Sequence, residues 1–238
     1  MTTIVTAVLV GLVVGVGGGV YAGRWLRTRA YRYADEAGLP ERPVGWVPPV
    51  VVLTVLAVML GVTTILARPP AEGGLGRAVG TTVAIGYALI AAVLVVLAAV
   101  DIDVRRLPDR FTRVLLPASL VLVVVGGLAG HQPHAVVRAV LAGLALGAFY
   151  LVLVVLGRGS AFGLGDAKLA PTIGVLLGFF SWAHVIVGTF LAFLLGAVYG
   201  ACLVAFTSAG RRATIAFGPH IILGALLLLA VPAIGALR

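Results

Sequence analysis

The stretch VGTTVAIGYALIAAVLVVLAAV at residues 79–100 contains no charged side chain, and the residue that follows it is Asp101. A helix that crosses the hydrocarbon layer of a membrane needs about 20 apolar residues, because that layer is about 30 Å thick. The apolar residues here run continuously, whereas the strands of a membrane barrel alternate apolar and polar residues. The stretch therefore predicts a transmembrane α-helix that ends at a carboxylate.

Similar apolar stretches recur along the whole chain of 238 residues, which is 61% hydrophobic and 11% charged. Its mean hydropathy of +1.18 excludes an ordinary soluble protein. We predict an all-α polytopic membrane protein with about eight transmembrane helices. The predicted spans are residues 3–20, 48–66, 79–100, 114–130, 137–156, 169–181, 183–207 and 218–236.

Three other interpretations of the composition are not favoured. The first apolar stretch lacks preceding basic residues and a following small-residue cleavage site, so we expect a retained helix and not a signal peptide. The single cysteine, Cys202, can form neither a disulfide nor a thiolate zinc site within the chain. The formal net charge of +9 comes from arginines scattered between apolar stretches, which argues against nucleic acid as a partner.

The positively charged residues predict how the chain is oriented in the membrane. Thirteen of the seventeen Lys and Arg residues fall in four segments, and positive residues accumulate on the cytoplasmic side of a membrane. An even number of spans then places both termini on the outer side. The longest of the four segments is expected to be a solvated loop that touches lipid headgroups. The four predicted cytoplasmic segments are residues 21–47, 101–113, 157–168 and 208–214.

The acidic residues are few and clustered. Of the eight in the chain, four lie in two predicted cytoplasmic segments, DIDVRRLPD at 101–109 and GLGD at 163–166. Each segment follows a span that runs from the outer to the cytoplasmic side. Asp101 and Asp166 can therefore meet at one face of the membrane.

Two carboxylates that meet at the edge of the lipid hold one proton between them, because both cannot ionise together in a poorly solvated place. This is the arrangement of an aspartic protease. The ionised carboxylate takes a proton from water as the water attacks a peptide carbonyl, and the protonated one supports the oxyanion and then serves the leaving amine. The hypothesis requires no metal, no cofactor and no nucleophilic side chain.

Four neighbours of the aspartates are candidates for shaping this site. Gly163 and Gly165 lack a Cβ, which lets the loop take conformations closed to other residues and lets a substrate strand approach closely. Pro108 is expected to end the helix that carries Asp101 and to hold the following loop in a turn. Lys168 completes the set, although an anchor that reaches lipid headgroups is its simpler interpretation.

Each of these acidic residues also has a purely structural interpretation. Asp101 and Arg105 are four residues apart and can form an ion pair at a helix end, worth about 0.3–0.5 kcal/mol. Asp103 and Asp109 are more simply explained as solvated partners of the neighbouring arginines. The two segments taken together favour a catalytic role. The neighbouring arginines are Arg105, Arg106, Arg110 and Arg113.

The segments DIDVRRLPD and GLGDAKL resemble those of the bacterial prepilin peptidases, which are aspartic proteases of the GxGD type in the inner membrane. The family's catalytic pair corresponds to Asp101 and Asp166. The segment FGPHIILGALL at 217–227 is similar to the one before the family's last helix. The resemblance covers residues 79–238 and implies a six-helix peptidase core there, which leaves residues 1–78 as a two-helix N-terminal region.

The resemblance also implies a substrate and a location. The substrate is expected to be a pilin or pseudopilin precursor, including the Tad/Flp type, with a short basic leader before a hydrophobic helix. Cleavage is expected at the cytoplasmic face of the bacterial inner membrane. Longer members of the family carry two CxxC pairs that bind zinc and accompany N-methylation, but loop 21–47 has no cysteine. We therefore expect a peptidase without methyltransferase activity, and the sequence does not indicate an oligomeric state.

Two hypotheses from other classes use the same residues. In a proton-coupled transporter or channel, Asp101 and Asp166 would relay protons, but they lie at predicted helix ends and not near the membrane centre. The sequence also lacks the matching broken helices of inverted-repeat transporters. A non-catalytic membrane component of a pilus assembly machine is the other hypothesis. Both motifs are complete, which favours an active enzyme.

Overall fold

A computed structural model of the chain describes residues 2–36, 38–40, 42–66, 74–157, 163–206 and 216–231. All regular secondary structure in these residues is helical, which confirms the predicted all-α class. A short 3₁₀ helix at Ala34–Glu36 lies between the first two α-helices. The α-helices are α1 (Thr2–Arg27), α2 (Val47–Leu66), α3 (Gly74–Val104), α4 (Asp109–Ala129), α5 (Pro133–Leu156), α6 (Leu164–Gly178), α7 (Trp182–Phe206) and α8 (Gly218–Ala230).

Six of these helices, α1 to α5 and α7, are long and apolar enough to cross a membrane. The chain is therefore a multi-pass membrane protein, as predicted. Helix α6 has only 15 residues, and α8 has 13 in the described part of the chain. Helix α1 continues past its predicted end at residue 20 because its last turns still bury Ala22 and Leu26. The predicted loop 208–214, Arg158 of the predicted segment 157–168, and the end of the eighth predicted span lie outside the described residues.

The chain reverses direction between α3 and α4 close to Pro108. Helix α3 ends at Val104, and Pro108 precedes the first residue of α4 with φ −62° and ψ 124°. Proline has no N–H to continue the helix before it but has the φ that a helix start requires. Arg105 takes a left-handed conformation with φ 54°, which turns the chain away directly after α3. The helix that carries Asp101 thus ends at Val104, before Pro108 is reached, and Pro108 marks the start of α4.

Helices α5 and α6 pack together through small residues. Gly143 of α5 faces Gly174 of α6, Gly147 of α5 faces Pro171, and Gly178 of α6 faces Ala139 and Ala142. A Cβ on Gly174 would lie 2.5 Å from the Ala142 carbonyl oxygen and 2.8 Å from the Gly143 Cα. Membrane helices associate through such close backbone contact, because lipid supplies no hydrophobic drive between them. This contact fixes α6, which carries Asp166.

Replacing Gly174 with alanine is expected to lower the free energy of unfolding by about 1–3 kcal/mol, because the atoms it would strike are backbone atoms of α5. Gly17 of α1 offers the matched control, since a Cβ there meets nothing within 4 Å. Gly17→Ala is expected to preserve or raise stability through its better helix propensity. Thermal unfolding of the purified variants in detergent measures both effects, and equal midpoints would contradict this packing.

Helix α8 is held between α2 and α7 by glycines. Gly61 of α2 lies directly against the Leu229 carbonyl, and a Cβ on Gly224 would lie 2.6 Å from the Gly188 carbonyl oxygen of α7. Helix α8 also packs against α3 and α6. The first residue of α8, Gly218, is thereby brought to the end of the bundle where α3 ends and α6 begins. We call this the aspartate end.

The segment 29–36 packs against the end of α3, and we call it the docked segment. Arg32 donates two hydrogen bonds of 2.9 Å to the two carboxylate oxygens of Asp103, and the Tyr31 hydroxyl donates a third of 2.7 Å. The Asp103 side chain is only 2% exposed. The prediction of a solvated Asp103 paired with its neighbouring arginines is therefore wrong, whereas most described residues of loop 21–47 are exposed, as expected of a solvated loop. The partners of Asp103 lie about seventy positions earlier in the chain.

A second contact joins the docked segment to the chain beyond α3. Arg106 donates from Nε and Nη2 to the Glu36 carboxylate at 2.5 and 2.6 Å, and from Nη2 to the Tyr31 carbonyl at 2.7 Å. Its guanidinium carbon lies 3.6 Å from the centre of the Tyr33 ring. A planar, two-pronged contact of this kind fixes both position and orientation.

The Glu36 contact is expected to weaken in acid. The hydrogen bonds from Arg106 hold the pKa of Glu36 below its ordinary value of 4.5, with a further contribution from the Tyr33 N–H. A carboxyl group whose pKa is lower in the folded than in the unfolded state stabilises the folded state at pH values above the unfolded-state pKa. That stabilisation is lost as the pH falls through the folded-state pKa. We expect the protection factors of amide hydrogen exchange in the docked segment, which correct for the intrinsic pH dependence of exchange, to fall below pH 4.5. Glu36→Gln should remove this pH dependence, and a persistent dependence would contradict the assignment.

Candidate active site

Three helix ends converge at the aspartate end. Asp101 lies in the last turn of α3, Asp166 in the first turn of α6, and Gly218 is the first residue of α8. Helices α3 and α6 both pack on α8, so these termini are held by the core of the bundle and not by loops. A site built on packed helices keeps its geometry better than one built on flexible loops.

The carboxylates of Asp101 and Asp166 both lie next to Gly218. A Cβ on Gly218 would lie 2.6 Å from Asp101 Oδ2 and 3.5 Å from Asp166 Oδ1. Both residues are buried, with exposed fractions of 5% for Asp101 and 7% for Asp166. The structure thus brings together the two aspartates that the sequence singles out, and places beside them a glycine that it does not.

The start of α6 orients the Asp166 side chain. Asp166 Oδ2 accepts a hydrogen bond of 3.0 Å from the Gly163 N–H, while the Asp166 N–H donates to the Gly163 carbonyl at 3.1 Å. This reciprocal arrangement is the one in which a carboxylate caps a helix start. Oδ2 is therefore occupied by the backbone, and Oδ1 is left to face Gly218 and Asp101.

The conformational role expected of the two glycines is wrong. Gly163 has φ −88° and ψ 157°, which is ordinary extended backbone, and Gly165 lies within α6. A Cβ on Gly165 would lie 3.4 Å from atoms of the Leu107 side chain, which is ordinary contact. The beginning of α6 thus lies against the segment that precedes Pro108. Close approach of a substrate strand to Gly163 stays a prediction.

Lys168 contacts another acidic residue and not the two aspartates. Its Nζ lies 2.6 Å from Asp109 Oδ1, and both side chains are about half exposed, at 50% and 44%. Asp109 also lies 3.6 Å from Arg113, as its structural interpretation predicts. The lysine therefore ties the first turn of α6 to the first turn of α4. Pro108 immediately precedes that turn, and a role of both residues in shaping the site stays a prediction.

Aromatic residues line the bundle next to the site. Tyr150 of α5 is fully buried. Its ring stacks on Phe193 of α7 at 6.0 Å, and Phe193 lies 5.2 Å from Phe217, the residue before Gly218. Sequence reasoning misses Tyr150 because a lone tyrosine in an apolar stretch carries no signal. For Gly218 the resemblance of residues 217–227 was the available signal.

A cavity of about 540 Å³ lies at the opposite end of the bundle. Its lining comes from the end of α2, the start of α5, and the turn from α6 to α7, and includes His134, Arg138 and Trp182. Arg138 donates there to the carbonyls of Gly178 and Phe180 at the end of α6. This cavity is remote from Asp101 and Asp166.

Among the described residues, the side chains at the aspartate end that could bind a metal ion are carboxylates. Among the residues that the structure describes, no three His, Cys, Asp or Glu side chains come together in a cluster that could hold a metal ion.

Comparison with known proteins finds a family match for the part of the chain that carries both aspartates. Residues 88–201, a little under half the chain, match the model of the type IV leader peptidase family. This leader peptidase segment includes Asp101 and Asp166 but neither the docked segment nor Gly218.

Curated relatives agree with this family. The chain is 32% identical over 152 residues to the prepilin leader peptidase/N-methyltransferase of Aeromonas hydrophila, which covers 62% of this chain and 51% of that protein. It is 31% identical over 150 residues to the protein of the same name from Aeromonas salmonicida strain A449, at 60% and 50% coverage. The chain thus spans about half the length of these leader peptidase relatives. No solved structure matches it.

Proposed function

We propose that this protein is an aspartic endopeptidase that removes the leader peptide from type IV pilin-like precursors. The observation that carries the proposal is the meeting of two buried carboxylates, Asp101 and Asp166, at Gly218. The match of residues 88–201 to the type IV leader peptidases supports it, as do relatives named prepilin leader peptidases.

The reaction follows from the shared proton of the pair. The ionised carboxylate removes a proton from a water molecule as the water oxygen attacks the scissile carbonyl carbon. The protonated carboxyl group donates a hydrogen bond to the developing oxyanion and then transfers its proton to the leaving amine. Because the two groups are coupled, the proton belongs to the pair and is not assigned to either residue.

The proposed location is the cytoplasmic face of the bacterial inner membrane. The excess of Lys and Arg in segments 21–47 and 101–113 supports this orientation. A precursor whose hydrophobic helix lies in the bilayer would present its basic leader, and the bond to be cut, at that face. We propose pilin or pseudopilin precursors as the substrate class, including those of the Tad/Flp type.

Arginines near the site are compatible with a basic leader because acidic residues offset their charge. Arg29 and Arg32 are paired with Asp103, and Arg106 is paired with Glu36. Repulsion of the leader is reduced accordingly. The name of the relatives also includes an N-methyltransferase activity. Because loop 21–47 of this chain contains no cysteine, we propose a peptidase that does not methylate its product.

Purified protein mixed with a pilin precursor in detergent or vesicles tests this function. We expect one cut between the basic leader and the hydrophobic helix, located by N-terminal sequencing of the product. The mass of the new N-terminus after addition of S-adenosylmethionine reports methylation, and an unmodified amine is expected. Failure to cut any precursor of this architecture, including the one encoded nearest to this gene, would contradict the proposal.

A further inference from the structure

We propose that the docked segment, residues 29–36, holds the last turn of α3 in place and thereby positions Asp101 for catalysis. Arg32 and Tyr31, acting on Asp103, are then positioning residues for the peptidase reaction. This inference rests on the proposed function and adds to it a role for a part of the chain outside the family match at 88–201.

The last turn of α3 makes contacts on two opposite sides, one through Asp101 and one through Asp103. Asp101 and Asp103 are two positions apart in one helix, so their side chains project about 200° apart around its axis. Asp101 faces Asp166 and Gly218, whereas Asp103 faces Arg32 and Tyr31. Any movement that releases Asp103 also moves the backbone that carries Asp101.

The contact at Asp103 is strong enough to serve this purpose. Asp103 Oδ1 accepts a hydrogen bond from Arg32 Nη2, and Oδ2 accepts from Arg32 Nε and the Tyr31 hydroxyl. Arg29 Nη1 also lies 3.5 Å from Oδ2. Two-pronged arginine–carboxylate contacts are among the stronger hydrogen-bonded pairs in proteins. Removing one partner from such a buried pair leaves a charge without compensation, which is strongly unfavourable.

The position of the contact in the chain matters because helix ends fray. The hydrogen bond that closes the last turn runs from the Arg105 N–H to the Asp101 carbonyl at 2.9 Å, and the chain reverses at Arg105. The docked segment binds on both sides of this reversal, at Asp103 before it and at Arg106 after it. The docked segment therefore restrains Asp101 and Arg105, whose hydrogen bond would break if the last turn of α3 opened.

Kinetics of four variants test the proposal. Arg32→Ala is expected to lower kcat by about 10- to 100-fold with little change in KM, because a displacement near 1 Å has that cost in an active site. Arg32→Lys, which keeps the charge but not the two-pronged geometry, should recover part of the loss. Tyr31→Phe removes a single donor and should give a smaller loss in kcat. Arg27→Ala is the matched control, since Arg27 is exposed and lies in the same basic stretch.

A second measurement does not depend on activity. Hydrogen exchange at the Arg105 amide reports opening of the last turn of α3. We expect faster exchange in Arg32→Ala and Tyr31→Phe than in wild type, and no change in Arg27→Ala. If wild type cuts no precursor, the proposed function fails while this measurement still decides the role of the docked segment.

The outcomes separate cleanly. A wild-type kcat in Arg32→Ala and Tyr31→Phe, or wild-type exchange at the Arg105 amide, would overturn the proposal. An equal loss in Arg27→Ala would overturn it too, because charge and not docking would then be responsible. If Arg32→Ala fails to accumulate in the membrane, Tyr31→Phe and Arg32→Lys decide: loss of kcat at wild-type thermal stability supports positioning, and loss of stability alone contradicts it.

Discussion

Asparagine in place of Asp101 or Asp166 is expected to abolish leader peptide cleavage, with a fall in kcat of about 10⁴-fold, at the upper end of what general acid–base catalysis contributes. Asparagine has nearly the size and shape of aspartate but can neither accept the proton from water nor donate one to the leaving amine. Each carboxylate is required in one of these roles, so either substitution alone removes the mechanism. Cleavage of a purified precursor by equal amounts of each protein measures the effect.

Stability provides the internal control for this result. Removing one of two close carboxylates also removes a repulsion between them, so the variants are expected to unfold at or above the wild-type temperature. Asp35→Asn is the matched substitution, because the Asp35 side chain is exposed and is not among those through which the docked segment contacts Asp103 or Arg106. It is expected to cleave at the wild-type rate. A comparable loss in Asp35→Asn, or a lowered unfolding temperature in the asparagine variants, would contradict the assignment.

Gly218→Ala is expected to lower kcat by about 100-fold or more while the protein remains folded. The added Cβ would lie 2.6 Å from Asp101 Oδ2 and 3.5 Å from Asp166 Oδ1. The nearest atom that can yield is the end of the Asp101 side chain, so the carboxylate would shift and the bundle would not. A displacement of about 1 Å is enough to cost two orders of magnitude in rate. Cleavage rates and thermal unfolding of the purified variant measure the two parts of this prediction.

The control for Gly218→Ala is the same substitution at an open position. A Cβ on Gly80 would meet only the Leu66 Cβ, at 3.8 Å, which is ordinary contact. Gly80→Ala is therefore expected to keep both activity and stability. Wild-type cleavage by Gly218→Ala would show that the space beside the two carboxylates is not needed for the reaction, against the geometry described above.

The helices could be predicted from the sequence because their signal is local. Continuous apolar stretches predicted the spanning helices, and the outcome differs mainly at their ends. Helix α1 extends to Arg27 and α4 begins at Asp109, since amphipathic turns beyond the lipid core continue the helix without raising hydropathy. The meeting of Asp101 and Asp166 could also be predicted, because the order and direction of spans place their two helix ends together.

The surroundings of the aspartates could not be predicted because they depend on distant contacts. Asp103 pairs with Arg32, and Glu36 with Arg106, across seventy or more positions of sequence. Local spacing favoured the wrong partners, the arginines next to Asp103. Gly218 contributes through the space it leaves open, and only the packing of α8 against its neighbours determines where that space lies.

The central claim is that one pair of carboxylates performs the cleavage, and one comparison tests it most directly. Wild type, the two single asparagine variants and the double variant Asp101→Asn/Asp166→Asn are purified in equal amounts and mixed with one pilin precursor. Groups that act as a unit are not additive, so all three variants are expected to be equally inactive while wild type cuts between leader and hydrophobic helix. Cleavage of that same bond by any of the three variants at the wild-type rate would contradict the account.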